Sequence, residues 1–294
     1  RTPSFTPMPL SPAQTSRREA LKRFLKEDIG QGDVTTLAIV PPDQQAIGHF
    51  VAKAPLVLAG IDLAIEALTL LDKGLAVESR HRDGDELCEG DLVASVRGQA
   101  RALLTGERVA TNLLQRLCGI ATLTRRFVDA VRGTQAKILD TRKTTPGLRV
   151  FEKYAVTVGG GINHRFGLDD AVLVKDNHIR LAGGICTAIE TARLHASRSH
   201  RFEVEVTTLT ELQEALQYDL DGVLLDNMNP DMVREAVACV RDHESGSKIV
   251  VEASGGMTLD NVRAFAEAGV DWISIGALTH AAPAVDMSFK IHPA

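Results

Sequence analysis

Short apolar runs alternate with helical stretches through the second half of the chain. The runs lie at 138–139, 171–174, 202–206, 222–225, 249–251 and 272–275. Most of the intervening segments have the spacing of amphipathic helices, with apolar residues one helical turn apart. Strands that alternate with helices form right-handed βαβ units around a parallel sheet. The pattern therefore predicts an α/β barrel, closed or nearly closed, with about six strands.

The first half of the chain has a mixed pattern. A first amphipathic helix is expected to end near Gly30, and helical spacing returns near 61–71 and 102–118. Between 31 and 100, short apolar runs alternate with turns rich in Gly and Asp. This pattern predicts a small α/β domain with antiparallel strands.

The two patterns divide the chain into domains. We expect an irregular lead-in at 1–15, an N-terminal α/β domain over 16–122 and the barrel over 123–280. The last residues, 280–294, are expected to pack back on the N-terminal domain.

Composition excludes several classes of protein. The 294 residues are 44% hydrophobic and 24% charged, which is enough for a core without disulfides. The net charge of −5 shows no basic excess, so we expect no nucleic-acid partner. Asp62 and Glu66 interrupt the longest apolar stretch, so we expect no membrane partner. The cysteines lack C-x-x-C spacing, which predicts a reducing compartment, the cytoplasm.

Groups that bind or carry charge follow the predicted strands. They are Asp140-Thr141-Arg142-Lys143, Lys175-Asp176-Asn177-His178, Asp226-Asn227, Ser254-Gly255-Gly256 and Gly276, with Glu203 and Glu205 inside the third strand. The carboxyl ends of parallel strands meet at one face of an α/β barrel, where active sites lie. Residues 137–180 also carry eight Lys/Arg against five Asp/Glu, which suits a small anionic ligand unless it is chance fluctuation. This face is therefore the predicted catalytic site.

Two glycine-rich segments are candidates for binding anions. Gly159-Gly160-Gly161 leads into His164 and Arg165, and the backbone N–H groups of glycine loops approach anions closely. Ser254-Gly255-Gly256 precedes a helix that is expected to open at Thr258, an arrangement that binds phosphate. The alternatives are an ordinary turn for the first segment and a helix cap for the second.

Glu205 and Asp226 lie on neighbouring predicted strands. Two such carboxylates hold Mg²⁺, directly or through water or substrate, or stabilise developing positive charge. Glu203 has the same parity as Glu205, so both side chains are expected to face the barrel interior. The competing explanation is a structural ion pair between Glu205 and Lys175.

A polar stripe follows one face of the helix expected at 102–118. It consists of Arg101, Arg108, Asn112 and Gln115. Because a polar stripe is usually a solvated face, periodicity alone does not distinguish Arg108.

Several motifs together resemble a known family. They are Asp140-Thr-Arg-Lys-Thr-Thr-Pro-Gly147, Gly159-Gly-Gly-Ile-Asn-His-Arg165, Lys175-Asp-Asn-His178, Glu203-Val-Glu205, Leu225-Asp-Asn227 and Ser254-Gly-Gly256, preceded by Glu27–Thr35 and Glu107–Gln115. In this order, over residues 20–280, they resemble quinolinate phosphoribosyltransferase, also called nicotinate-nucleotide pyrophosphorylase. Cys118 stands where the family pattern has a small serine, a near-isosteric change.

The resemblance implies a fold and a reaction. The fold would be an N-terminal α/β sandwich domain followed by an open TIM-like α/β barrel of about six to seven parallel strands. The ring nitrogen of quinolinate would attack C1 of 5-phosphoribosyl-1-pyrophosphate, pyrophosphate would leave with Mg²⁺, and loss of CO₂ would give nicotinate mononucleotide for NAD biosynthesis. The assembly would be a homodimer in which Arg108 reaches the neighbouring site, or a hexamer built from three such dimers.

The resemblance also implies residue roles. The catalytic residues would be Lys143, Glu205 and Asp226, with Mg²⁺ near the two carboxylates. The quinolinate-binding residues would be Arg108, Thr141, Arg142, His164, Arg165 and Lys175. The phosphoribosyl pyrophosphate-binding residues would be Lys143, Glu205, Asp226, Ser254, Gly255, Gly256 and Gly276.

Three alternatives stay open at this point. The first is a molybdenum-transport-associated paralogue on the same scaffold, which the complete set of cationic residues argues against. The second is a Schiff-base lyase, because a lysine that ends a barrel strand, as Lys175 does, is what such an enzyme uses. The third is a binding module without activity, which would not explain acids and bases on so many strand ends.

Overall fold

The computed structural model describes residues 13–197 and 199–294, with side chains from residue 17 onward. These residues form two compact units. The first unit comprises 13–125, 144–160 and 278–294, and the second comprises 126–143 and 161–277. The expected domain boundary at 122/123 stays a prediction, because the units are not divided at a single point of the chain.

The described residues form helices and strands in both units. The helices are α1 (Ala13–Ile29), α2 (Val34–Ile39), α3 (Ile61–Thr69), α4 (Ala100–Ala130), α5 (Arg149–Val158), α6 (Asp176–Ala182), α7 (Ile185–His195), α8 (Leu209–Ala215), α9 (Pro230–Asp242), α10 (Val262–Glu267) and α11 (Ala277–His280). The strands are β1 (Gln45–Ala52), β2 (Leu56–Val57), β3 (Ala76–Ser79), β4 (Glu86–Leu87), β5 (Leu92–Gln99), β6 (Lys137–Leu139), β7 (Ala171–Val174), β8 (Arg201–Val206), β9 (Gly222–Asp226), β10 (Val250–Ser254), β11 (Trp272–Ser274) and β12 (Met287–Pro293).

An antiparallel sheet organises the first unit. Its four strands have the order β12-β1-β5-β3. Phe50 and Leu103 are fully buried in its core, which also contains Met287 of β12. The rings of Phe50 and Phe289 lie 4.2 Å apart across the β1–β12 pair. Gly48 makes room for this pairing, since a Cβ atom there would lie 2.0 Å from Cζ of Phe289. An N-terminal α/β unit with antiparallel strands is therefore confirmed.

The first helix differs from the expectation. Most of the lead-in expected at 1–15 lies outside the described residues, but α1 already begins at Ala13. The helix therefore includes Ala13, Gln14 and Thr15 of the expected lead-in. Ala13 and Gln14 favour helix intrinsically, so the helix can start a turn earlier.

A parallel sheet forms the second unit. Its six strands have the order β6-β11-β10-β9-β8-β7, so the first strand of the series pairs with the last. β6 and β7 are the two edge strands, and Ile162 extends the β6 edge by a parallel bridge to Leu139. This is an open α/β barrel, as the sequence predicted. The strands are mostly buried because helices flank a parallel sheet, which explains their continuous apolar runs.

Among the described residues, no helix combines the length and the apolarity that a membrane crossing requires.

Candidate active site

The carboxyl ends of the parallel strands bring many of the predicted site residues to one edge of the second unit. Thr141, Arg142 and Lys143 follow β6, and Lys175 follows β7 as the N-cap of α6. Asp226 ends β9, Ser254 ends β10, and Gly276 follows β11. The hydroxyl of Thr141 accepts a hydrogen bond from the Lys143 amide at 3.0 Å, which holds the turn after β6.

The guanidinium groups of Arg142 and Arg165 are close enough for their charges to interact. Burial and the positive charge of Arg142 both lower the pKa of Arg165. The Arg165 guanidinium is fixed by a 2.9 Å hydrogen bond from Nη1 to the Ala171 carbonyl. Two like charges held close together repel unless an anion lies between them. The pair therefore favours a ligand carboxylate or phosphate.

Glu205 lies between a cation and a second carboxylate. Its Oε2 is 3.8 Å from Nζ of Lys175, and its Oε1 accepts a 3.4 Å hydrogen bond from the Asp176 amide. Burial raises the pKa of Glu205; Lys175 opposes the rise, and the charge of Asp226 adds to it. The structural ion pair considered above is therefore present, but it does not exclude a ligand because Lys175 is 44% exposed.

A backbone hydrogen bond joins the residue after β9 to the end of β10. Asn227 has a φ of +54°, and its amide donates to the Ser254 carbonyl at 2.9 Å. Its side-chain amide donates to Oδ2 of Asp226 at 2.6 Å. Gly255 and Gly256 follow with φ values of +97° and +60°. Successive glycines in this conformation point backbone N–H groups toward an anion.

Two expectations about anion loops need correction. The helix expected to open at Thr258 begins at Val262 and has six residues, so its end does not support a phosphate at Gly256. The Asn261 side chain instead accepts a 2.8 Å hydrogen bond from the Thr258 amide and forms a turn there. Gly159 caps the end of α5, and a Cβ on it would lie 2.6 Å from the Ala121 carbonyl oxygen. Helix packing therefore accounts for Gly159 itself, and anion binding by the rest of this segment stays a prediction.

His164 points into a cluster of buried acids. Its Nε2 lies 3.3 Å from Oε2 of Glu252 and 3.6 Å from Oε2 of Glu203. Its backbone amide donates to Oδ1 of the buried Asp140 at 2.9 Å. Burial alone lowers the pKa of His164, but the charges of Glu252 and Glu203 outweigh it and raise the pKa to about 10.

A second contact of the His164 ring favours the opposite protonation state. The Arg165 amide donates to Nδ1 at 2.8 Å, which suits the neutral ring protonated on Nε2. Two carboxylates in a buried site outweigh one amide dipole, so we expect the ring to be cationic at neutral pH. Nδ1 is then a donor, and the Arg165 amide contact seen in the structure would be lost in that state.

The ligand atoms of this cluster are also close enough together to hold a metal ion. One ligand atom each from His164, Glu203 and Glu252 lies within 4.8 Å of the others. However, Nη2 of Arg201 is 3.6 Å from Oε1 of Glu203 and already supplies a cation. Burial raises the pKa of Glu203, but the His164 hydrogen bond and Arg201 lower it below the usual value. We therefore interpret the cluster as ion pairs.

The polar stripe on α4 belongs to the first unit. Arg108 and Asn112 are exposed there, while Gln115 donates to the Met287 carbonyl at 3.1 Å. Arg108 is therefore not among the groups that the second unit brings together. Its expected role stays a prediction.

The sequence indicated no specific partner for Glu252 or Arg201. A signal for Glu252 exists, because it is a single acid within the apolar run from Ile249 to Ala253. An acid in a strand buried on both faces needs an interior partner. Which cation supplies it is not visible in the local sequence.

Comparisons with known proteins agree with this geometry. The family model described as quinolinate phosphoribosyl transferase, C-terminal domain, matches residues 120–290. The model for the N-terminal domain matches residues 33–118. Together the two matches cover most of the chain.

Individual relatives match along nearly their whole length. A protein of Bacillus subtilis (strain 168), named probable nicotinate-nucleotide pyrophosphorylase (carboxylating), is 44% identical over 274 residues, 93% of each chain. A Nicotiana tabacum protein, quinolinate phosphoribosyltransferase (decarboxylating) 2b, mitochondrial, is 41% identical over 293 residues, 93% of this chain and 82% of the relative. The crystal structure of NadC from Streptococcus pyogenes superposes with a TM-score of 0.88 at 40% identity, covering 94% of this chain and 97% of that one.

Proposed function

Because this chain belongs to the quinolinate phosphoribosyltransferase family, we propose that it transfers a phosphoribosyl group to quinolinate and makes nicotinate mononucleotide for NAD biosynthesis. The donor is 5-phosphoribosyl-1-pyrophosphate, and pyrophosphate and CO₂ are released. The observation that carries the proposal is that the charges of Arg142 and Arg165 interact, while Glu205 and Asp226 lie on the paired strands β8 and β9 and their charges also interact. This edge of the second unit therefore presents cationic groups to the dianionic quinolinate and carboxylates to the positive charge that develops on the ribosyl group.

Quinolinate binds to the cationic groups of this edge. Arg142 and Arg165 grip its carboxylates, since a guanidinium binds a carboxylate through two parallel hydrogen bonds. Thr141 and Lys175 contribute from the ends of β6 and β7, and His164, 11% exposed, lies at the back of the site. Arg108 completes the set from a second copy of the chain.

Phosphoribosyl pyrophosphate binds beside quinolinate. The backbone N–H groups of Ser254, Gly255, Gly256 and Gly276 receive the sugar phosphate. Glu205 and Asp226 bind the ribose hydroxyls and stabilise positive charge that develops at C1. Lys143 lies near the pyrophosphate and the departing carboxylate.

The carboxylates fit a magnesium ion. Glu205 and Asp226 lie on the paired strands β8 and β9, the charge of Asp226 raises the pKa of Glu205, and Mg²⁺ prefers such oxygen ligands. Mg²⁺ would neutralise charge on the pyrophosphate when bound. Glu205 and Asp226 would hold it directly or through water or substrate.

The reaction joins the ring nitrogen of quinolinate to C1 and breaks the bond from C1 to pyrophosphate. The carboxylate beside that nitrogen then leaves as CO₂, and the electron pair stays on a ring carbon next to the cationic nitrogen, which stabilises it. A proton on that carbon completes nicotinate mononucleotide. The protein positions both substrates and supplies fixed charge.

The other features of the proposal concern the assembly and the compartment. The functional unit is a homodimer in which Arg108 serves the partner's site. The larger form is a hexamer built from three such dimers. A reducing compartment, the cytoplasm, suits the four free cysteines. The alternatives are not favoured, because both family models carry the quinolinate name and the ammonium of Lys175 is paired with Glu205.

A substrate comparison tests the proposal. Protein incubated with phosphoribosyl pyrophosphate, Mg²⁺ and quinolinate is expected to release CO₂ and pyrophosphate in equal amounts with nicotinate mononucleotide. Nicotinate, which lacks the second carboxylate, is expected to react poorly because it leaves part of the cationic set unpaired. Equal rates with the two acids would contradict the proposed site.

The variant Arg165→Ala sharpens this test. It is expected to weaken quinolinate binding by about 2–4 kcal/mol and to leave phosphoribosyl pyrophosphate binding near that of the parent. Arg234→Ala is the control, because Arg234 is 58% exposed on α9. Equal weakening of both substrates by Arg165→Ala would refute the division of the site.

A further inference from the structure

A row of alternating charges crosses the interior of the second unit. We call Arg201, Glu203, His164 and Glu252 the charge ladder. Successive members lie 3.6, 3.6 and 3.3 Å apart. Glu203 and Glu252 are 3% and 0% exposed, so solvent does not screen these pairs.

The ladder is anchored at both ends of the row. The Arg201 guanidinium stacks 4.0 Å from the centre of the Trp272 ring, which holds it against β11. Glu252 lies in the middle of β10, so the strand backbone keeps its side chain in the core. The His164 ring therefore enters a slot whose walls are fixed by three different strands.

The ladder ends where the proposed substrate site begins. The His164 backbone amide is held by Asp140, directly after β6. The next residue is Arg165, whose pKa is lowered by burial and by the charge of Arg142. The charged groups that face His164 are thus Glu203 from β8, Glu252 from β10, Asp140 from the β6 end and Arg165 from its own loop.

We propose that Glu203 and Glu252 are positioning residues for the quinolinate site, which hold the His164 ring between β8 and β10 and thereby orient the Arg165 guanidinium toward the ligand. The inference rests on the proposed function and deepens it. His164 then affects quinolinate binding indirectly. It positions the loop that carries Arg165, and its ring supplies a fixed positive charge. Without that charge, two buried carboxylates would lie behind a site meant for a dianion, and Arg201 alone could not offset them.

Isosteric glutamines test this inference. Glu252→Gln and Glu203→Gln remove one charge each and preserve side-chain volume. Each is expected to raise the KM for quinolinate about tenfold or more, since small misplacement of a binding group has large effects. The KM for phosphoribosyl pyrophosphate is expected to stay within about twofold of the parent, because its proposed ligands lie on other strand ends.

A spectroscopic measurement separates positioning from general destabilisation. ¹⁵N NMR of the His164 ring is expected to show both nitrogens protonated near neutral pH in the parent. In Glu252→Gln the ring is expected to lose a proton at lower pH, because a neighbouring negative charge is gone. Glu235→Gln, on the exposed face of α9, is the matched control and is expected to change neither readout.

Three results would overturn the inference. One is an unchanged KM for quinolinate in both glutamine variants. Another is an equal rise of both KM values, which indicates a purely structural role. The third is a divalent metal bound in one-to-one ratio by the parent and lost in the variants, which would make the cluster a metal site. If the parent makes no nicotinate mononucleotide, the proposed function fails, while the NMR comparison still decides the ladder.

Discussion

At the scale of single residues, backbone conformation shapes the proposed phosphate site. Gly255 has a φ of +97°, and a Cβ atom there would lie 2.2 Å from Oδ1 of Asn227. Asn227 is itself held by the Ser254 carbonyl and by Asp226. A side chain at 255 would therefore displace groups that we assign to phosphoribosyl pyrophosphate.

The variant Gly255→Ala is therefore expected to have a selective defect in binding phosphoribosyl pyrophosphate. The KM for phosphoribosyl pyrophosphate is expected to rise, with the KM for quinolinate near that of the parent. Gly133→Ala is the control, because Gly133 has a φ of +86° with open space around it. It is expected to lose about 1–2 kcal/mol of unfolding free energy, the cost of the left-handed conformation, and Gly255→Ala to lose more. Denaturant titration and steady-state kinetics give both values, and equal behaviour of the two variants would refute the clash.

At the scale of elements, an ion pair joins α4 and α5 within the first unit. Nη2 of Arg116 is 2.8 Å from Oε1 of Glu152, and Arg116 also donates to the carbonyls of Thr279 and Ala282. Glu152 is fully buried and accepts hydrogen bonds from the amide and hydroxyl of Thr145. One carboxylate thus fixes a helix pair and the loop at Thr145.

The pair predicts a large loss of stability in Glu152→Ala. Removing one partner of a buried, hydrogen-bonded pair leaves Arg116 uncompensated, so unfolding free energy is expected to fall by about 3–5 kcal/mol. The control is Glu86→Ala in the same unit. Glu86 is 69% exposed where it meets Arg125, so its loss is expected to cost about 0–1 kcal/mol. Chemical denaturation measures both, and similar losses would contradict the role of burial.

At the scale of the whole molecule, we propose that each site takes residues from two chains. Arg108 is exposed on α4 of the first unit, whereas Lys143 follows β6 in the second. If Arg108 serves the partner's site, each site of a homodimer takes these two residues from different subunits.

Complementation tests this arrangement. Arg108→Ala and Lys143→Ala are each expected to be nearly inactive, and a mixture is expected to recover activity after subunit exchange. About half of the dimers become mixed, and each mixed dimer has one intact site, so about a quarter of the original sites regain function. A tagged subunit confirms exchange independently. Activity that stays at the level of the separate variants would place Arg108 in its own subunit's site or on an inert surface.

The sequence by itself determined the parallel half of the fold. All six apolar runs became strands of the parallel sheet, because strands covered on both faces are apolar throughout. It also determined the order of polar groups at the strand ends, since chain direction in a parallel sheet assigns those ends to one edge. The family motifs then made the reaction predictable. Lys175 and Glu205 could be proposed as neighbours because β7 and β8 are consecutive.

Only the tertiary structure decided the pairings between residues far apart in the chain. β12 pairs with β1, and residues 144–160 belong with the first unit although they lie between parts of the second. His164 meets Glu252 because barrel curvature brings the loop after Ile162 and strand β10 to one interior slot. The local sequence pattern indicates whether a residue is buried. Its partner across the core depends on how the sheet curves, and the curvature depends on every strand at once.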